Sequence, residues 1–171
     1  MTIVGVVSDT HLPRFGRALP RALEAGLRAA GVTRILHCGD FTDPLAAELF
    51  EEIAPFDAVA GNNDGSDIVQ RFGRKKIVII EDVRIGLVHG DDGRHAADRN
   101  AAAAFAGERV DVVCFGHSHK PLNERRDGVL FLNPGSPTDK RVMPTYSYAI
   151  LTIDGSTASA GVFTFADRSI A

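Results

Sequence analysis

The sequence contains few cysteines and little excess charge, and each shortage excludes a class of protein. Its 171 residues include two cysteines, Cys38 and Cys114, and no C-x-x-C pair. A disulfide framework, a thiolate zinc site and thioredoxin-type redox chemistry therefore have no support. The formal net charge is −3, and the chain shows neither a basic stripe nor an aromatic platform. There is consequently no strong signal for nucleic-acid binding.

Long apolar runs are also missing. No run approaches the roughly 18 residues that a membrane-spanning helix requires, and no basic segment precedes the first apolar run, as it would in a signal peptide. We therefore expect a cytoplasmic protein with no membrane partner. With 44% hydrophobic and 24% charged residues, the composition is that of an ordinary globular protein. The length predicts a single domain over residues 1–171.

Short apolar runs alternate with helical patterns through the first two-thirds of the chain, and strand patterns follow alone. Runs typical of strands occur at Ile3–Val7, Arg34–Cys38, Asp57–Ala60, Lys76–Glu81, Arg84–His89, Asp111–Phe115, Val129–Leu132, Tyr146–Ile153 and Ala158–Phe165. Helical patterns occur at Arg17–Ala30, at Leu45–Ile53 after an Asp43-Pro44 cap, and at Arg94–Ala106. This order predicts an α/β protein with more than one sheet layer.

Polar clusters stand at the ends of five of these apolar runs. They are Asp9–His11, Gly39–Asp40, Gly61–Asp64, His89–Gly90 and Gly116–His119. Ligands of open α/β sheets bind beyond the carboxyl ends of the strands. If the strands lie side by side, the five clusters meet at one edge. We expect the walls of the resulting pocket to come from loops that include Gly65–Gly73 and Gly90–Arg94.

The residue types in these clusters are those of metal ligands. The candidate ligands are Asp9, His11, Asp40, Asn62, His89, His117 and His119. Carboxylate and imidazole together suit Mn, Fe, Ni or Zn, and two carboxylates held together without a cation would repel each other. Seven groups are too many for one tetrahedral site. They suit two metals about 3.5–4 Å apart that share a bridging carboxylate.

Most of these clusters have a plainer interpretation when taken singly. Asp9–His11 and Gly61–Asp64 have the composition of ordinary turns, and His89 alone fits a hydrogen-bonded residue at a strand end. The pair His117 and His119, directly after Gly116, is more typical of ligands. Because all five clusters occur in order and at strand ends, their conjunction favours the metal centre.

The ordered set also resembles a known family, the calcineurin-like metallophosphoesterases. The small size and the Asn133–Ser136 segment are similar to its YfcE-type phosphodiesterase branch. The resemblance extends from Ile3 to about Phe165 and implies a four-layer α/β/β/α sandwich with two mixed β-sheets. It further implies that Asp9, His11 and His119 bind one metal, that Asn62, His89 and His117 bind the other, and that Asp40 bridges them.

The function implied is that of a metal-dependent phosphodiesterase acting on a small phosphate ester. Two divalent ions, with Mn favoured and Ni, Fe or Zn as alternatives, would hold a hydroxide for in-line attack on phosphorus. A phosphomonoesterase or nucleotide phosphatase is the nearest alternative. A non-catalytic interaction scaffold on the same fold, as in a retromer subunit, is the second. Exposed edge strands leave a homo-oligomer open.

The residues expected to surround the substrate depart from the family pattern at one position. Asn63 stands where many members carry a histidine that protonates the leaving group. An amide is no general acid near neutral pH, although it donates hydrogen bonds to phosphoryl oxygens. Arg141 is a second candidate for substrate contact, with an ordinary surface arginine as the alternative. Asp64 is expected to orient the turn of Asn62 and Asn63.

The missing histidine leads to a prediction about leaving groups. The Asn63→His substitution should accelerate cleavage of esters with poor leaving groups more than cleavage of activated esters, by up to the factor of about 10²–10⁴ typical of general acid catalysis. Rates on a series of esters with leaving groups of increasing pKa would measure the difference. Equal acceleration of all esters would contradict this role for position 63.

Overall fold

The computed structural model describes residues 1–169, which form ten strands and four helices. The strands are β1 (Thr2–Val7), β2 (Arg34–His37), β3 (Phe56–Ala58), β4 (Lys75–Ile80), β5 (Val83–Val88), β6 (Val112–Cys114), β7 (Leu122–Arg126), β8 (Val129–Asn133), β9 (Tyr146–Asp154) and β10 (Thr157–Phe165). The helices are α1 (Arg21–Ala29), α2 (Pro44–Glu51), α3 (Ser66–Phe72) and α4 (Ala97–Ala104). The single domain predicted for residues 1–171 includes two that lie outside the described part.

The strands form two five-stranded sheets that are both of mixed type. One sheet has the order β10-β9-β1-β2-β3, and the other has the order β4-β5-β6-β8-β7. In the first sheet β1, β2 and β3 are parallel, β9 pairs antiparallel with β1, and β10 pairs antiparallel with β9. In the second sheet β5, β6 and β8 are parallel, while β4 and β7 run antiparallel at the two edges. The parallel strands of each sheet therefore end at a common edge.

Period-two alternation of apolar side chains separates three buried layers. Val4 and Val6 of β1 and Leu36 of β2 belong to the layer between the two sheets. Val7 and Ile35 face the other way and pack with α1, α2 and α3. On the far side of the second sheet, residues of β6 and β8 pack against Ala97, Ala101 and Phe105 of the α4 region. The four-layer α/β/β/α sandwich with two mixed β-sheets is thus confirmed.

The helix boundaries differ from the sequence prediction for local reasons. Helix α1 begins only after Pro20, and α2 begins as predicted, with Pro44 in its first turn and the Asp43 carboxylate accepting from the Leu45 N–H. The segment expected to be a loop at Gly65–Gly73 contains α3 instead. This helix has only seven residues, with Ile68 and Phe72 buried four positions apart, which is too short a pattern to recognise.

Two further departures affect the second sheet. Helix α4 begins at Ala97 rather than Arg94, which lengthens the loop that carries Asp91 and Asp92. Strand β7 is not predicted, because its central residues Asn123–Arg125 are polar and exposed at a sheet edge. Among residues 1–169, no helix combines the length and the apolar character that crossing a membrane requires.

The layer between the sheets leads to a prediction about stability. Leu36 is fully buried there, whereas Ile79 on the edge strand β4 is 59% exposed. We expect Leu36→Ala to lower the free energy of unfolding by about 2–5 kcal/mol because it leaves a cavity between the sheets. Ile79→Ala is the matched control and should cost far less. Urea unfolding of both variants measures the difference, and equal losses would contradict the assignment of the core.

Candidate metal centre

The polar clusters adopt an unusual backbone conformation where the strands end. Asp9, His11, Asp40, His117 and His119 all have positive φ angles, between 44° and 66°. Residues with a Cβ pay a steric cost in this region, and such strain concentrates at functional sites. Gly39, at φ 99°, has no room for a Cβ, which would lie 2.7 Å from His89 Nδ1. The tight turns aim the polar side chains into one space.

Four buried atoms in this space have no hydrogen-bond partner within the described residues: Asp9 Oδ1 and the Nε2 atoms of His11, His89 and His119. Asp9 Oδ1 lies 3.8, 3.7 and 3.4 Å from these three nitrogens, respectively. Buried polar atoms normally have partners. Four orphaned atoms that converge on one space indicate that a ligand belongs among them.

The Asp40 carboxylate lies between two of these imidazoles. Its Oδ2 is 3.8 Å from His11 Nε2 and 3.3 Å from His89 Nε2. Two compact groups of possible ligands result, one of Asp9, His11 and His119 and one of Asp9, Asp40 and His89. Asp40 therefore contacts one histidine from each of the two ligand groups that the family resemblance implies, and Asp9 belongs to both compact groups.

Backbone carbonyl groups orient two of the imidazoles. His89 Nδ1 lies 2.7 Å from the Cys38 carbonyl oxygen, and His119 Nδ1 lies 2.6 Å from the Asp139 carbonyl oxygen. A carbonyl only accepts, so each Nδ1 carries the proton and donates it. Each Nε2 faces the carboxylates, where it can bind a metal once it carries no proton. Metal-binding histidines are typically held in this way.

The outer oxygen of Asp9 is held by two donors. The Ser8 hydroxyl donates to Asp9 Oδ2 over 2.7 Å, and the His117 backbone N–H donates to the same atom over 3.0 Å. Because His117 follows a strand of the other sheet, this bond joins the two strand edges. Sequence reasoning did not single out Ser8; its position between the strand and Asp9 is the one available signal.

Asn63 and Asp64 organise the loop that carries Asp40. The Asn63 side-chain amide donates to Asp40 Oδ2 over 2.7 Å, and its backbone N–H donates to Oδ1 over 2.8 Å. Asp64 accepts from the backbone N–H groups of Asp40, Gly61 and Thr42. Asn63 therefore donates to a candidate metal ligand in this structure, whereas the sequence led us to expect that it contacts the substrate.

The remaining candidates lie around the rim of the site. His117 is half-buried, and its ring centroid is 5.2 Å from that of His89. Asn62 is exposed and lines a cavity together with Gly90. Arg141 is also exposed, with its Nη1 3.5 Å from the His117 carbonyl oxygen. The structure thus gathers five of the seven candidate ligands tightly and leaves His117 and Asn62 at their edge.

His37 and the segment after Asn133 support the loops that carry the candidate ligands. His37 is fully buried; it accepts from the Gly39 N–H at Nδ1 and faces the Thr10 hydroxyl at Nε2, 3.1 Å away. Its ring therefore links the loops that follow β1 and β2. Ser136 and Thr138 both donate to the Asp9 carbonyl oxygen. Their contribution is invisible in sequence because 127 and 129 residues separate them from Asp9.

The carboxylates and imidazoles shift one another's pKa values strongly in the metal-free protein. Burial alone would raise the pKa of Asp9, but the close approach of the His11 and His119 imidazoles and the charge of His89 lower it well below its usual range. Burial is likewise outweighed at His89, where Asp40 and Asp9 raise the pKa to about 9. The pKa of Asp40 falls to about 2. Burial lowers the pKa of His37 to about 3, so that ring is neutral.

This donor set fits divalent metal ions. The carboxylates remain ionised, the Nε2 atoms of His89 and His119 face them and can exchange a proton for a metal, and the orphaned nitrogens lie 3.4–3.8 Å from Asp9 Oδ1. Carboxylate oxygen with imidazole nitrogen is a ligand combination that suits Mn, Fe, Ni or Zn. The same cluster without cations depends on protonated histidines to balance its two carboxylates.

The sequence matches a known protein family over most of its length. The family model of the calcineurin-like phosphoesterase superfamily domain covers residues 1–156. That range contains all seven candidate ligands.

Individual relatives point in the same direction. The chain is 33% identical to a probable metallophosphoesterase of Methanothermobacter thermautotrophicus, over 94% of this chain and 91% of that protein. It is 32% identical to a phosphodiesterase of Methanocaldococcus jannaschii, over 77% and 82% of the respective chains. The structure is similar to that of Vps29 of Entamoeba histolytica complexed with zinc, with a TM-score of 0.81, 26% identity and coverage of 98% and 95%.

The raised pKa of His89 leads to a prediction about the metal-free protein. This pKa is about 9 in the folded state, against an ordinary 6.5. The stabilising contribution is therefore complete below pH 6.5 and is lost as the pH rises through 9. We expect the free energy of unfolding of the chelator-treated protein, measured in urea, to fall across this range.

Two variants separate His89 from other titrating groups. His89→Gln should remove much of the decline, whereas His95→Gln, which changes an exposed histidine outside the cluster, should retain it. Binding of Mn²⁺ should strengthen over the same range, because the metal competes with the proton for Nε2. An unfolding free energy that stays constant between pH 6.5 and 9 in the wild type would contradict the assignment.

Proposed function

Because this chain belongs to the calcineurin-like phosphoesterase superfamily, we propose that it is a metal-dependent phosphodiesterase with a dinuclear metal centre. The observation that carries the proposal is the convergence of Asp9 Oδ1 and three imidazole Nε2 atoms, all buried and all without hydrogen-bond partners in the described chain. The similarity to a phosphodiesterase of M. jannaschii supports the choice of reaction.

Each metal would have its own set of ligands. Asp9, His11 and His119 would hold one ion. His89, with His117 and Asn62 at the rim, would hold the other, and the Asp40 carboxylate would lie between them. Bound divalent ions lower the pKa of a coordinated water and stabilise charge on phosphoryl oxygens. We favour Mn²⁺, with Ni²⁺, Fe²⁺ and Zn²⁺ as alternatives, because oxygen ligands share the set.

The protein's own residues fix the geometry in which the ester reacts. Ser8 and the His117 N–H hold Asp9, and Asn63 holds Asp40, so both carboxylates are positioned in advance. Since the Asn63 amide donates to Asp40, the loop offers no proton donor at this position for a leaving alcohol. This arrangement favours diesters with acidic leaving groups, which depart without protonation. Arg141, exposed beside His117, is the proposed contact for the substrate phosphate.

Two other functions compete with this proposal. A phosphomonoesterase or nucleotide phosphatase would use the same metals. A non-catalytic interaction scaffold on the same fold is the other candidate. The buried ligand cluster favours catalysis, because an interaction module has no need to orphan four buried polar atoms.

We also propose a cytoplasmic location and self-association through the edge strand β4, where Ile79 is exposed.

The decisive experiment measures hydrolysis with and without metals. Protein purified with chelator is assayed on a chromogenic phosphodiester and on the corresponding monoester, with Mn²⁺, Ni²⁺, Zn²⁺ and Mg²⁺ added back separately. We expect metal-restored hydrolysis of the diester. Asp40→Ala and His117→Ala should each reduce it about 100-fold or more, because each removes a ligand. His95→Ala, which changes an exposed histidine, is the matched control and should retain activity.

The possible outcomes separate the three candidates. Activity confined to the monoester would replace the diesterase with a phosphatase and would require a proton donor other than the site residues named above. Absence of hydrolysis, together with two metals bound per chain, would favour the scaffold. Thermal unfolding of each variant distinguishes loss of a ligand from loss of the fold.

A further inference from the structure

A cavity of about 640 Å³ opens beside the candidate metal centre. Its lining includes Asn62, Arg74, Lys75, Gly90, Asp91 and Asp92. Asn62 is also a candidate ligand, and Gly90 directly follows His89, so the cavity borders the ligand cluster. Its volume lies within the range of small-molecule binding sites, roughly 300–1,000 Å³. It is therefore placed to receive a part of the substrate attached to the reacting phosphate.

Arg74 provides the available cation on one wall. Its Nη1 donates to the Gly61 carbonyl oxygen over 3.2 Å, which fixes the guanidinium one residue from Asn62. The Lys75 ammonium group is already engaged, because it pairs with Glu108 and lies 4.9 Å from the Phe105 ring centroid. No ion pair links Arg74 to a carboxylate within residues 1–169, so its remaining N–H groups can serve a ligand.

Acidic residues also line the cavity, and Asn100 fixes the loop that carries them. The Asn100 amide donates to the carbonyl groups of Gly90 and His95 and accepts from the His95 N–H. These three bonds brace the loop that carries Asp91 and Asp92. Both N–H bonds of the amide are used in them, so Asn100 shapes the loop while the two carboxylates remain as acceptors among the lining residues.

The lining chemistry indicates what the cavity binds. Arg74 supplies donors and Asp91 and Asp92 supply acceptors, and no aromatic residue is among the lining residues, all of which lie in the described chain. A nucleobase would lack a stacking surface, and an alkyl chain would leave the charged groups without partners. Sugar and polyol hydroxyl groups both donate and accept, so they match both kinds of group.

A second cavity, of about 510 Å³, borders His117. Its lining includes Phe115, Pro121 and Leu122 together with Asp98 and Lys120, and it is more apolar than the cavity beside Asn62. An apolar group would be accommodated there rather than beside Arg74. The two cavities thus differ in the kind of ester arm that each would receive.

We propose that the cavity beside Asn62 binds a polyhydroxylated arm of the phosphodiester, a sugar or polyol, and that Arg74 and Asp92 determine this preference. The inference rests on the proposed phosphodiesterase function and adds the substrate class. In the assayed reaction, a water oxygen bonds to phosphorus and the P–O bond to 4-nitrophenol breaks. The electron pair leaves with 4-nitrophenolate, and the proton from water passes to the buffer.

Two diesters with the same leaving group test the proposal on the Mn²⁺-loaded protein. One is the 4-nitrophenyl diester of glucose 6-phosphate, and the other is cyclohexylmethyl 4-nitrophenyl phosphate, which has a six-membered ring without hydroxyl groups. We expect kcat/KM to favour the sugar diester about tenfold, mainly through KM, as one or two hydrogen bonds would give. Calorimetry with glucose 6-phosphate and cyclohexylmethyl phosphate measures the same preference without turnover.

Variants assign the preference to the cavity. Arg74→Met and Asp92→Asn should each reduce the ratio of the two kcat/KM values toward one. Arg28→Met is the matched control, because Arg28 lies on α1 and pairs there with Glu24; it should keep the wild-type ratio. Thermal unfolding confirms that all three variants are folded.

Different results would overturn different statements. If the wild type hydrolyses both diesters equally or prefers the cyclohexylmethyl ester, or if Arg74→Met slows both to the same extent, the cavity assignment is wrong and the phosphodiesterase stands. If neither diester is hydrolysed, the proposed function fails, and this inference fails with it.

Discussion

Burial of the Asp9 carboxylate is the constraint on which the site depends. Its side chain is fully buried at the meeting point of the two sheets, and a buried charge is costly unless it is paired or coordinated. Ser8 and the His117 N–H satisfy Oδ2, while Oδ1 faces three imidazoles and has no other partner. The loops that follow β1, β5 and β6 must therefore converge on this carboxylate, because together they contribute the groups that surround it.

The hydrophobic layer between the sheets makes that convergence possible. Side chains such as Leu36, Ile85 and Leu87 bury the facing surfaces of the sheets, and the parallel strands of both sheets consequently end at neighbouring edges. The backbone there adopts positive φ angles at five candidate ligands, which is unfavourable for residues with a Cβ. The hydrogen bonds from Ser136 and Thr138 to the Asp9 carbonyl oxygen help to hold this conformation. Core packing thus supports strain at the site.

If the protein hydrolyses phosphate esters as proposed, its selectivity among them would come from loops rather than from the ligand cluster. The residues proposed to hold the metals would treat every phosphate alike, whereas the cavities beside Asn62 and His117 differ in polarity. The Asn100 amide links the loop after β5 to α4 and so fixes the acidic wall of one cavity. The same scaffold can therefore serve different esters by changing residues such as Arg74 and Asp92, without disturbing Asp9 or Asp40.

Local patterns in the sequence were enough to predict the α/β class, the family and the candidate ligands, because apolar runs that end in Asp, Asn, Gly and His are visible without the fold. It missed α3, whose seven residues are too few to show a period, and β7, whose exposed edge position permits polar residues. Three relations became visible only in the folded protein: Asn63 donates to Asp40, His37 links two ligand loops, and Arg74 and Asp92 line one cavity. These relations join residues distant in the chain or depend on side-chain direction, and packing of the two sheets, rather than any local pattern, brings them together.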